Sequence, residues 1–228
     1  MQFLRRHVLS VLPAAAAAML PLRSEAQTET PARLDLDLVK EWVAKAHTRN
    51  IEAMKELLKK EPGLMFSSWN LGAGDWESAL QAAAHTGSRD MAIWLIDNGA
   101  RLDLMATTML GQLNALKAAC EAFPKSIETR GAHGIPLLSH AIYGDAQAKD
   151  VLHYLLDKSA DVNARHGNGF TPLMAAVQNK QPETVRLLLS KGADPKVKAK
   201  AGQTALSLSA KANHAEIVSV LKEAGATE

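Results

Sequence analysis

Gly169-Phe170-Thr171-Pro172-Leu173-Met174-Ala175-Ala176, followed by Val185-Arg186-Leu187-Leu188-Leu189 and then Lys191-Gly192-Ala193-Asp194, is the stretch whose reading decides the fold. Thr171 precedes an apolar run and can cap a helix, because a hydroxyl oxygen accepts from a backbone N–H that the first turn leaves unpaired. Pro172 then takes the first helical position, where no donor is needed. Leu173, Ala176 and Val177 fall on one face of that helix, and Val185, Leu188 and Leu189 on one face of a second. Gly192 is placed to end the second helix in the left-handed conformation. Neither helix can bury its apolar face alone, so the unit requires neighbours stacked against it.

The neighbours are visible in the sequence. Thr171-Pro172-Leu173 recurs as Thr204-Ala205-Leu206, and Gly192-Ala193 as Gly225-Ala226, both at a spacing of 33 residues. Ser78-Ala79-Leu80-Gln81-Ala82-Ala83 with Asp97-Asn98-Gly99-Ala100 matches the same unit 93 residues upstream. Between them, Gly134-Ile135-Pro136-Leu137-Leu138-Ser139-His140-Ala141 opens a unit that closes at Ser159-Ala160-Asp161-Val162-Asn163, with two extra residues expected around Gly144-Asp145. A weaker unit runs from Ala106 to Phe123 with a short first helix, and a first one runs from Leu38 to Leu64. In the last, Lys198 to Glu228, the residues Lys211, His214, Glu216, Lys222 and Glu223 read as a solvated cap.

This unit resembles the ankyrin repeat, departing from it at Met174, where the family usually has His. The resemblance implies an all-α, ankyrin-like helical repeat solenoid of about six repeats with β-turn fingers. Residues 33–228 number 196, close to six periods. It also implies a protein-binding module in which fingers and first helices line a concave face, without catalysis.

Residues 1–26 read as an export signal: Arg5 and Arg6, an apolar stretch from Val8 to Leu22, and a small-residue end at Ser24-Glu25-Ala26. The stretch is 15 residues long and contains Pro13 and Pro21, whereas a spanning helix needs about 20 apolar residues. No membrane insertion is expected once it is removed. Arg5-Arg6-His7-Val8-Leu9 resembles a twin-arginine signal, with general secretion as the other route. Together with the repeats, the leader resembles that of bacterial exported ankyrin-repeat domain proteins, which implies a periplasmic or secreted location. Residues 27–32 form a short tether.

Without residues 1–26 the chain has 23 basic and 23 acidic side chains. That balance argues against coating nucleic acid or an anionic membrane. The single thiol, Cys120, cannot form an internal disulfide and reads as a small buried hydrophobe. The expected partner is another protein, and the chain is expected to be monomeric.

Candidate binding residues concentrate in the least repeat-like stretch, residues 65–77, which holds Trp69, Asn70, Trp76 and Glu77. Trp69 and Trp76 are either anchors for a partner or a satellite core under an enlarged loop. His85 at the end of a first helix is a further candidate, and turn positions add Arg101, Arg130, His133, His166, Asn168 and Phe170, with Arg165, Lys198 and Lys200, as either a basic rim or merely wet turns. Asp75 and Glu77 read as solvated fingertip acids.

His47 and His85 end successive first helices. Neighbouring repeats lie roughly 10 Å apart, so no shared metal coordination is expected, and no cofactor either. Phosphate-loop and nucleophile-elbow motifs are missing from the sequence. The alternative reading is a small-ligand site or enzyme pocket beside Asp75, Glu77 and His85.

Overall fold

The computed structural model describes residues 34–227; the expected leader and tether lie outside the described residues. The described residues form twelve α-helices in consecutive pairs: α1 (Leu36–His47) with α2 (Ile51–Lys60), α3 (Ala79–His85) with α4 (Arg89–Asp97), α5 (Leu104–Met109) with α6 (Leu113–Ala122), α7 (Leu137–Tyr143) with α8 (Lys149–Asp157), α9 (Pro172–Gln178) with α10 (Pro182–Ser190), and α11 (Ala205–Lys211) with α12 (Ala215–Glu223). The first helices pack in a row in chain order, α1 on α3, α3 on α5, and so on to α11, each with its second helix beside it. Among the described residues no helix is long and apolar enough to cross a membrane.

The local chemistry follows the sequence logic. Thr171 Oγ1 accepts from the Met174 amide at 3.3 Å with Pro172 in the first turn, and Thr204 forms a reciprocal capping box with Ser207. Ser78 caps α3 in the same way, accepting from the Gln81 amide at 3.2 Å. Ala82, Ala83 and Ala84 of α3 and Ala175 and Ala176 of α9 are buried, and their small size lets adjacent first helices approach closely. Trp42, Leu95, Leu116, Leu155 and Leu173 are fully buried between the layers, each supplying about 2–3 kcal/mol of apolar burial. Gly192 has φ +89°, the left-handed stop expected after α10.

Four features depart from expectation. The chain is not wholly helical, because residues 65–77 contribute to a hairpin of β1 (Ser68–Asn70) and β2 (Trp76–Ser78). The third unit's first helix is short, as expected, but begins at Leu104 and not at Ala106. Cys120 is half-buried against the core rather than fully enclosed. In the last pair Lys211, Glu216, Lys222 and Glu223 are exposed as expected, yet His214 is half-buried with both ring nitrogens covered.

The extra residues after Gly144 form a 3₁₀ turn, Asp145–Ala148, lodged against the α5–α6 turn. A Cβ on Gly111, where φ is +74°, would stand 2.0 Å from the Gln147 carbonyl oxygen, so only glycine fits there.

Candidate functional site

The hairpin follows from its turn. Asn70 Oδ1 accepts from the Gly72 amide at 2.8 Å, and Gly72, Ala73 and Gly74 all take positive φ, folding β2 back on β1 with Asn70 opposite Trp76 and Trp69 opposite Glu77. Successive strand residues point to opposite faces. Trp69 and Glu77 therefore turn inward together, and Trp76 turns outward. Trp69 is half-buried against the core with Lys40 Nζ 6.0 Å from its ring centre, whereas Trp76 is 57% exposed. Trp69 is thus packed beneath the hairpin, and Trp76 is left on its solvent face. Glu77 is 0% exposed, which overturns its reading as a solvated fingertip acid; Asp75 is half-buried.

What reaches Glu77 depends on a missing finger. Fourteen residues, 123–136, join α6 to α7, and fourteen also precede α9 (158–171) and α11 (191–204), but only six, 98–103, join α4 to α5. The third unit therefore has no finger of its own. Helix α7 touches α3 as well as α5, and the finger before α7 meets the hairpin: the His133 amide donates to Asp75 Oδ1 at 2.9 Å, and His133 Nδ1 stands 3.2 Å from Asp75 Oδ2.

His133 itself has φ +59°, an uncommon conformation for a residue with a Cβ, held by these contacts. His47 and His85 approach from the ends of α1 and α3. Helical side chains lean toward the helix N-terminus, here toward the fingers, and His47 Nδ1 lies 3.0 Å from the Val43 carbonyl one turn back.

The result is a cluster absent from the sequence-level expectation. Glu77 Oε2 is 3.4 Å from His47 Nε2, and Glu77 Oε1 is 3.1 Å from His85 Nδ1 and 3.7 Å from His133 Nε2. The imidazole centres of His47 and His85 are 5.0 Å apart, and those of His85 and His133 5.1 Å apart. The inference from roughly 10 Å helix spacing that these residues cannot share coordination is thus overturned, because axis separation does not limit side chains that lean together. No contact inside the cluster has hydrogen-bonding geometry, and both Glu77 oxygens and His85 Nδ1 are buried without a partner among the described residues. His47, Glu77, His85 and His133 each offer one ligand atom, all within 4.8 Å of one another.

Beside the cluster lies an open groove of ≈ 1070 Å³ between the hairpin tip and the fingers before α7 and α9, not the closed pocket that the small-ligand reading requires. Arg130, His133, Arg165, His166, Asn168 and Lys200 line it together with Asp75. The arginines are not free turn cations. Arg130 Nη1 donates to the carbonyls of Gly134 and Arg165, both at 2.9 Å, and Arg165 donates to those of Gly169 and Lys198, so each ties its own finger to the next.

Backbone bonds from Gly167 N to His133 O (2.8 Å) and from Lys200 N to Asn168 O (3.0 Å) reinforce this ladder. His166 stacks on Phe170 with ring centres 5.5 Å apart, and burial holds its pKa below the ordinary value, with the charges of His133, His85 and Arg130 acting in the same direction. Asn168 and Lys200 are exposed, and Asn70 is exposed on the hairpin. Arg101 lies apart from this groove, over the exposed Phe66 ring at 5.8 Å.

Behind the cluster, α7 carries His140, fully enclosed, whose pKa desolvation pushes down to about 3, with the charge of His85 adding to the effect. Neither of its ring nitrogens has a partner of hydrogen-bonding geometry, although the Ala84 backbone lies close by.

A family model of ankyrin repeats, in three copies, matches residues 104–199 and 138–227, together more than half of the chain. The chain belongs to the ankyrin repeat family, whose members generally mediate protein–protein interaction and are typically non-catalytic. The match begins at Leu104, so His47, Glu77 and His85 precede it and His133 lies within it. No curated protein matches the chain.

Proposed function

We propose that the six helix pairs act as six ankyrin repeats in one solenoid, forming a non-catalytic module that binds another protein at its finger edge. The groove between the hairpin and the fingers before α7 and α9 carries this reading. Arg130, Arg165 and Lys200 line it against the single acid Asp75, so a chain whose charges balance beyond residue 26 presents a local excess of positive charge there. An acidic partner segment is the complement, and Trp76, next in the chain to Asp75 and 57% exposed, supplies an aromatic anchor of the kind that dominates interface energy. The leader read in residues 1–26 supports a periplasmic or secreted location for this activity, with another exported protein as the partner and a monomeric module as the acting form.

The test is affinity capture from periplasmic extract with residues 27–228, comparing the unmodified chain with Lys200→Glu and Trp76→Ala. A partner whose retention falls at least about tenfold in either variant and weakens as salt rises supports the reading, because exposed charge contacts are screened within roughly 10 Å at 0.1 M salt. Retention indifferent to both substitutions and to salt would overturn it.

A further inference from the structure

We propose that His47, Glu77, His85 and His133 form a binding site for one divalent transition-metal ion, with zinc as the representative cation. The site shares His133 and the supporting Asp75 with the wall of the groove, but it does not depend on the partner-binding reading.

The argument begins with hydrogens. His47 Nδ1 sits 3.0 Å from a carbonyl oxygen, which can only accept, so in the neutral ring this nitrogen carries the proton and Nε2 presents a lone pair toward Glu77. His133 repeats the pattern, with Nδ1 on the Asp75 carboxylate at 3.2 Å and Nε2 directed at Glu77. Two imidazole lone pairs and a carboxylate of 0% exposure thus converge, and His85 Nδ1 adds a third nitrogen 3.1 Å away. Such a convergence of acceptors is costly unless a cation sits among them.

The outer contacts are those that orient metal-ligating histidines: a backbone carbonyl behind one and a carboxylate behind another. Ligands about 2.0–2.1 Å from a tetrahedral zinc stand roughly 3.3 Å from one another. The contacts of 3.1 and 3.7 Å to Glu77 Oε1 and 3.4 Å to Oε2 lie near that value, and the four ligand atoms, all within 4.8 Å of one another, need only draw in around an ion to reach it. Three imidazoles and one carboxylate suit a borderline ion such as zinc and not magnesium or calcium, which take oxygen ligands. Four protein ligands also describe a closed, structural coordination, here clamping the first, second and fourth helix pairs together.

The competing occupant is a proton shared among the imidazoles, and titration separates the two. Purified metal-free chain is titrated with zinc by calorimetry, alongside Glu77→Gln, His85→Gln and a control, His153→Gln, which lies outside the cluster. The expected result is a single zinc per chain, a rise in Tm on binding, affinity at least about 100-fold weaker in both cluster variants, an unchanged control, and no response to magnesium or calcium.

Should either cluster variant fail to fold, Asp75→Asn, which leaves all four ligands in place, is expected to weaken zinc about 10–100-fold through the loss of support for His133. No zinc binding, or binding equally strong in the cluster variants, would overturn the proposal and leave the proton as occupant.

Discussion

His140 shows how much a single buried side chain can decide. Its pKa is about 3 in the folded chain against an ordinary 6.5, so between these values the unfolded chain takes up a proton that the folded chain refuses. The neutral ring therefore costs nothing above pH 6.5, and stability is lost progressively as pH falls from there toward 3. Each pH unit in that window removes up to about 1.4 kcal/mol. Urea midpoints measured with a chelator present should show His140→Leu losing about 2 kcal/mol less than the unmodified chain between pH 6.5 and pH 5; equal losses would contradict the burial argument. At the same scale, Thr171→Ala removes the cap of α9 and should cost about 1 kcal/mol in the same denaturation experiment.

Turns and hairpins are where the elements of this protein depart from one another. The α5–α6 turn and the 3₁₀ turn after α7 interlock so tightly that Gly111→Ala would place a methyl 2.0 Å from a carbonyl oxygen at a φ of +74°. A loss of about 3 kcal/mol or more, seen as a lowered urea midpoint, is the expected outcome. The hairpin makes a sharper prediction. Trp69→Ala opens a gap against the core and should cost about 2 kcal/mol, whereas Trp76→Ala, on the solvent side, should change stability by less than about 0.5 kcal/mol. The helices were legible in the sequence because caps, proline and apolar spacing are local signals. Strand alternation over residues 68–78 was not, since each strand is only three residues long and its burial pattern emerges only once the hairpin docks.

Across the whole molecule, the fingers act as a ladder and not as separate wet loops. Arg165→Ala removes the side-chain donations to Gly169 and Lys198 and should cost about 1–2 kcal/mol. Hydrogen exchange should quicken at the Lys200 amide, which bonds to Asn168 across the same pair of fingers. An unchanged exchange rate there would mean that the backbone bond alone holds the fingers. Stability in such a stack is shared between neighbours, so damage to one finger is felt by the adjoining unit before the rest.

By itself the sequence determined the repeat, most of the helix starts and stops, the shortness of the third unit's first helix though not its first residue, and the position of the inserted turn. All of these rest on contacts between residues near in the chain, or on a 33-residue period that can be counted. The meeting of His47, Glu77, His85 and His133 was decided only by the tertiary structure. Their separations of 8 to 86 residues follow no motif, and their convergence requires the missing finger at residues 98–103, the inward face of β2 and the backward lean of helical side chains at once. The sign of a finger residue's role is likewise tertiary. Arg130 and Arg165 look in sequence like any exposed turn cation, and only the neighbouring carbonyls show that they bind the stack together.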